Sequence, residues 1–334
     1  MKIAVVGSGA IGGLVAGYLS LKGKDVVLIG RSNSVAAINS KGLFISGVRG
    51  DFKVNIPVKD KLVSDVDLAI FCTKSQDLEQ SISQNIDFIK QAQILTTQNG
   101  IRSEGIALKY ADKASIISSI VMFGSTNLEP GRIVHNFEGN WILGRPFIEN
   151  DRTLIDVSLV LNEIFPTVIS HNIRAMKFLK IFVNANNCIP AILGLSMQEA
   201  FSDTDTSRIS VAIWREGFDI VKRSGINLVS LPDFPLERLT GIISMPMESA
   251  AKVISGIMSG LSKEPLYGSI LQSIKRGKDT EIDYINGEFV KLAAENKLAA
   301  PLNKRLVEMV HIVEKNGKFF SREQLIEETK GLLA

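Results

Sequence analysis

The spacing of apolar residues along the chain changes near residue 170. Before that point, short apolar runs recur at Lys2–Val6, Asp25–Ile29, Asp67–Phe71, Ala92–Thr96 and Ser115–Ser119, none with an internal charge. Runs of this length without polar alternation are the pattern of strands buried on both faces. Segments with helical period lie between them, for example Asp77–Ile89. Strand and helix signals that alternate in this way predict a parallel sheet with helices on both faces. Gly131–His135 and Asn140–Leu143 read as a hairpin added late. From about residue 171 strand signals stop, and the period becomes helical over Met176–Asn187, Ser207–Ser224 and Asp283–Glu295. The expectation is an α/β domain over 1–170 and an all-α domain over 171–334, with a ligand site at the carboxyl ends of the parallel strands.

Composition narrows this picture. A chain of 334 residues exceeds one comfortable core, which agrees with two domains. With 38 basic and 35 acidic residues the net charge is +3, which gives no reason to expect a nucleic-acid or membrane partner. A strand that starts at residue 2 leaves no room for a cleaved leader, and the two cysteines, Cys72 and Cys188, fit a reducing, cytoplasmic setting. Oligomeric state is not written in the pattern, although the helical domain offers a surface for a homodimer.

The first strand runs into Gly7-Ser8-Gly9-Ala10-Ile11-Gly12 and then an apolar helical run. A strand, a Gly-x-Gly-x-x-Gly turn and a helix together form the dinucleotide fingerprint. Gly7 permits the tight turn, Gly9 the approach of a pyrophosphate, and Gly12 close packing of helix on strand. The amides of Ala10 and Ile11 would face phosphate at a helix N-terminus. The second strand ends at Gly30-Arg31, where an acidic residue would suit NAD and an arginine suits the 2′-phosphate of NADP. Lys74 follows the Asp67–Phe71 strand and is either a ligand contact or a surface lysine. Asn99, in Gln98-Asn99-Gly100, is either a turn residue or an amide at the nicotinamide end.

In the helical half, Lys180 and Asn184 stand one turn apart on one helix face, with Asn187 and Cys188 just beyond. This is either an exposed polar stripe or the wall of a polar cleft. Ser269, Gln272 and the stretch Thr280–Gly287 form a second polar patch, in which Thr280 is placed to cap a helix begun by Glu281. His135, His171 and His311 lack metal-ligand spacing and read as structural or surface residues, so no metal site is expected. Cys188 reads as a pocket wall rather than a nucleophile, because no basic partner is near it in sequence.

These residues resemble the ketopantoate reductase (2-dehydropantoate 2-reductase) family over nearly the whole chain. The carriers are the glycine fingerprint, Lys74, Gln98-Asn99-Gly100, Lys180-x-x-x-Asn184, Ser269 and Thr280-Glu281-Ile-Asp-Tyr-Ile-Asn-Gly287. The resemblance implies a Rossmann-type domain followed by a helical domain. It also implies NADPH-dependent reduction of a small 2-keto acid, 2-dehydropantoate to pantoate, in pantothenate biosynthesis. By the same resemblance Lys180 is the general acid, and Asn184 and Ser269 are substrate ligands. Asn99 touches both cofactor and substrate, and Glu281 lies where the two meet. The chain departs from the family at Cys188, where a second asparagine is usual, and at Ser273, where an aspartate is common. A paralogue acting on another branched 2-keto acid and a non-catalytic NADP-binding regulator are the alternatives.

Overall fold

The first half of the chain forms twelve strands, which fall into two sheets. These are β1 (Lys2–Val6), β2 (Asp25–Ile29), β3 (Leu43–Gly47), β4 (Phe52–Val54), β5 (Val58–Lys59), β6 (Leu68–Phe71), β7 (Gln93–Thr96), β8 (Ile116–Val121), β9 (Gly124–Glu129), β10 (Arg132–Phe137), β11 (Trp141–Gly144) and β12 (Thr167–Ile169). In this computed structural model, which describes residues 1–260 and 264–333, the chain forms two units, Met1–Arg174 and Ala175–Ala334.

The main sheet of the first unit has the order β12-β11-β8-β7-β6-β1-β2-β5. From β5 to β8 all neighbours are parallel, while β11 pairs antiparallel to β8. Without β11 and β12 this is the doubly wound order 3-2-1-4-5-6, whose switch point falls between β1 and β6. Side chains alternate between two cores. Ile3, Val5, Leu68, Ile70 and Leu95 belong to one, and Ala4, Val6, Ala69, Phe71 and Ile94 to the other. Period-2 alternation between two apolar layers is the reason these strands carry no polar face.

The expected hairpin does not form. β10 joins a separate sheet of order β4-β3-β10-β9, whereas β11 crosses into the main sheet. Burial explains the split. β10 alternates buried and accessible residues, as a strand with one solvated face does, but β11 is buried at every position. This second sheet packs on α1 (Ala10–Leu21), where a Cβ at Gly17 would overlap Ile45. It also buries His135, whose Nε2 donates to Phe137 O (3.0 Å) while Nδ1 accepts from Tyr18 Oη (2.9 Å). Burial holds the imidazole pKa below its ordinary value, and the nearby Arg49 adds to this against opposition from Glu138. The unfolded chain therefore binds the proton first, and stability falls as pH drops below about 6.5, by at most about 1.4 kcal/mol per pH unit. Urea titrations at pH 7.5 and 5.5 should show this loss, and His135→Gln should flatten it. An equal loss in both proteins would assign it to other groups.

The second unit is helical. Its elements are α6 (Ile173–Ala185, beginning just before the boundary), α7 (Cys188–Leu193), α8 (Met197–Phe201), α9 (Thr204–Arg223), α10 (Leu236–Ser244), α11 (Met247–Ser259), α12 (Ser269–Ile274), α13 (Asn286–Glu295), α14 (Pro301–Asn316) and α15 (Arg322–Thr329). The intervening α2 (Ser32–Lys41), α3 (Leu78–Asn85), α4 (Ser103–Ala107) and α5 (Arg152–Asn162) belong to the first unit. Phe182 of α6 packs on Phe289 of α13 with ring centres 4.9 Å apart, and Trp214 Nε1 of α9 donates to Phe182 O (2.8 Å). Glu216 of α9 accepts the N–H groups of Leu302 and Asn303, which caps α14. Thr280 caps a single 3-10 turn, Ile282–Tyr284, rather than the expected helix, because Ile285 (φ −121°, ψ −91°) leaves the helical path and α13 begins at Asn286.

Candidate functional site

In the first unit the predicted residues converge at one edge of the sheet. Val6 pairs with Ile29 and Phe71, and Phe71 with Thr96, so β1, β2, β6 and β7 end side by side. The loops that follow carry Gly7–Gly12, Arg31, Lys74 and Asn99. They are braced to one another: Gly7 N donates to Ile29 O (2.8 Å) and Cys72 N to Val6 O (2.7 Å). Gln98 is buried, and its side-chain amide donates to both Phe71 O and Thr73 O at 2.9 Å. This brace fixes the chain just before Lys74 and just before Asn99. Sequence reading noted Gln98 without seeing that its amide ties two strand ends together.

The glycine turn fits a dinucleotide. Gly7 has φ +113°, and a Cβ there would lie 2.8 Å from the Cys72 carbonyl carbon. A Cβ at Gly12 would overlap Gly7 O, so helix and turn touch backbone to backbone. Gly9 differs, because no described atom lies within 4 Å of where its Cβ would be. Gly9 also starts α1 without a side-chain cap, which leaves helix N-terminal amides facing open space. Ser8 packs against Gly30 at the end of β2. Arg31, next in sequence, is 79% exposed, and one Nη lies 3.0 Å from Asp77. That contact engages one of its five donors. Lys74 and Asn99 are part-exposed, and Ser75 Oγ donates to Asn99 O (3.4 Å).

In the second unit α6 presents a stripe. Lys180, Val183, Asn184 and Asn187 retain solvent access, while Leu179, Ile181, Phe182, Ala185 and Cys188 are buried. The spacing i, i+3, i+4, i+7 is one helix face. Lys180 is part-exposed by area, yet the protein crowds its ammonium. Burial draws its pKa down to about 8, against opposition from Asp233. Both observations fit an ammonium that lines a narrow crevice. Asp233 sits in a tight turn closed by mutual backbone bonds between Leu231 and Phe234 (3.1 and 3.2 Å). Phe234 stacks edge-on to Trp214 at 6.0 Å, and Trp214 bonds α6, so the turn is anchored to the helix that carries Lys180. Asp233 lies 53 residues beyond Lys180 and carries no motif; sequence reading did not find it.

Cys188 turns inward. It is fully buried, burial pushes its thiol up to about 12, and the Asn286 side chain bonds it. Asn187 takes the accessible position and lies against Gly268, where a Cβ would come within 3.2 Å of the Asn187 carboxamide carbon. Ser269, the next residue, is exposed. The second unit therefore brings Lys180, Asn184 and Asn187 onto one face with Ser269 beside Asn187. Glu281 stands immediately before the 3-10 turn Ile282–Tyr284 that precedes α13, part-exposed. A desolvated ammonium beside neutral amides can hydrogen-bond a developing oxyanion and hand it a proton without a strong local field.

Two family profiles match in succession. Ketopantoate reductase PanE/ApbA covers residues 3–146, and Ketopantoate reductase PanE/ApbA C terminal covers 172–314. The 2-dehydropantoate 2-reductase of Pyrococcus horikoshii is 32% identical over 326 residues, covering 95% of this chain and 99% of the relative. The chain belongs to the ketopantoate reductase family. It is an oxidoreductase, like the 2-dehydropantoate 2-reductase of Pyrococcus abyssi, which is 31% identical over 91% of this chain and 94% of that protein. Among solved structures, D-mandelate dehydrogenase in complex with NADH has a TM-score of 0.79 at 25% identity, covering 94% of this chain and 99% of that one. Among the described residues no helix is long and apolar enough to cross a membrane.

Proposed function

We propose that this chain reduces a 2-keto acid to the 2-hydroxy acid with NADPH, and that 2-dehydropantoate is its substrate. The observation that carries the reading is Lys180, an ammonium with a pKa drawn down to about 8 on a face with Asn184 and Asn187. NADPH, when bound, supplies the hydride. Gly7, Ser8, Gly9, Ala10, Ile11 and Gly12 would hold its pyrophosphate, and Arg31 its 2′-phosphate. Lys74 and Asn99 would meet its inner portion, and Glu281 would touch cofactor and substrate together.

The substrate chemistry is assigned to the second unit. Lys180 Nζ donates a hydrogen bond to the keto oxygen, stabilises the charge that develops there and gives up its proton. Near neutral pH it regains a proton from solvent. Asn184, Asn187 and Ser269 are neutral donors suited to the carboxylate and hydroxyl of a small acid. The inward turn of Cys188 favours a second reading, a substrate lacking the hydroxyl, because one amide usual in the family is absent.

Cofactor choice is tested by titrating both nucleotides. Arg31→Ala should weaken NADPH binding about tenfold to a hundredfold and leave NADH binding nearly unchanged. Equal losses for the two would remove Arg31 from the phosphate site. In the same enzyme, kcat/KM for 2-dehydropantoate should exceed that for 2-ketoisovalerate; the reverse order supports the second reading.

A further inference from the structure

His311 of α14 stands between two carboxylates. Its Nδ1 lies 2.6 Å from Glu314 Oε2, and its Nε2 lies 3.1 Å from Asp283 Oδ2. A neutral imidazole has one N–H and would turn a lone pair toward one of these acceptors. Only the imidazolium donates to both. The other oxygen of Glu314 accepts the backbone N–H of Thr280 at 2.6 Å. Thr280 Oγ1 in turn accepts from Ile282 N (3.3 Å). The turn is thus tied to α14 at both ends, through the backbone at Thr280 and through the side chain at Asp283, and Glu281 lies between the ties.

We propose that His311 is a positioning residue whose imidazolium clamps the 280–283 turn to α14 and so holds Glu281 for the reaction. This rests on the role given to Glu281 above. Burial works against the charged ring, but the hydrogen bonds to Glu314 and Asp283 outweigh it and raise its pKa above the ordinary value. Those two carboxylates, one on its own helix and one on the turn, are the charged groups that act on the ring among the described residues. A raised folded pKa means that the clamp is closed at low pH and is lost as pH rises through that pKa. One carboxylate then loses its donor, and the turn loosens on the side it held.

The test uses the full chain and two readouts. Hydrogen exchange of the 280–285 amides, corrected for its intrinsic pH dependence, should show protection falling about three- to tenfold between pH 6 and 8.5 in the wild type. In His311→Gln protection should be low at both. At pH 6 the same variant should raise KM for 2-dehydropantoate and for NADPH about three- to tenfold, with kcat changed less, and the difference should vanish at pH 8.5. His311→Arg keeps a permanent forked cation and should restore the low KM at both pH values. Wild-type protection in His311→Gln at pH 6 would overturn the clamp. So would lost protection with unchanged KM while Glu281→Gln impairs the enzyme. If Glu281→Gln is fully active, the role of Glu281 fails instead, and the exchange measurement alone decides whether His311 holds the turn.

Discussion

Replacing Lys180 by alanine should lower turnover about 10²–10⁴-fold while leaving NADPH affinity essentially unchanged. The change removes an ammonium that can both neutralise an oxyanion and deliver a proton, and it leaves the residues of the glycine turn themselves unaltered. Because the active form carries the proton, wild-type turnover should fall as pH rises through about 8, where burial has placed the Lys180 pKa. Asp233 opposes that burial, so Asp233→Asn should move the falling limb to lower pH and leave the rate near pH 6 almost intact. A folded Lys180→Ala enzyme with near-normal turnover, or a limb that ignores Asp233, would take Lys180 out of the chemistry.

Gly12→Ala should be nearly as damaging, for a different reason. The added methyl would overlap the carbonyl oxygen of Gly7, and backbone cannot swing away as a side-chain tip can. Overpacking of this kind costs about 1–3 kcal/mol of stability. The displaced turn should also weaken NADPH binding about tenfold to a hundredfold. Gly9→Ala is the informative partner, since no described atom lies within 4 Å of its Cβ position and its φ of −78° suits any residue. It should leave the melting temperature unchanged and still weaken NADPH. Loss of stability in Gly9→Ala, or unchanged binding, would contradict the placement of the pyrophosphate there.

The parallel strands were legible because burial on both faces leaves an unbroken apolar run, as at Leu68–Phe71. The glycine turn was legible because backbone packs against backbone at Gly7 and Gly12, and only glycine leaves room for that approach. The second sheet was not. β9 reads Gly-Ser-Thr-Asn-Leu-Glu, and its place is set by pairing with β10 and packing on α1, which no local pattern records. The apparent hairpin failed for the same reason, since two short apolar runs look alike until their partners are known. The roles proposed for Lys180 and Asn184 came from the family resemblance, while their sharing one helix face followed from helical period. The order beyond them did not, because α6 ends in a tight turn, Asn187 N to Asn184 O at 2.9 Å, that leaves Asn187 accessible and turns Cys188 inward. Asp233 and His311 act through partners 53 and 28 residues distant in the chain (Lys180 and Asp283), separations over which sequence spacing carries no signal.

The central claim is hydride transfer from NADPH to the keto carbon of 2-dehydropantoate, and isotope transfer tests it directly. Purified enzyme is mixed with 2-dehydropantoate and NADPH deuterated at C4 of the nicotinamide, and the product is examined by mass spectrometry and NMR. The account predicts pantoate with one deuterium at C2 from one face-specific form of the labelled cofactor, and at least a hundredfold less product from Lys180→Ala. Absence of labelled pantoate from a folded enzyme that binds NADPH would contradict it.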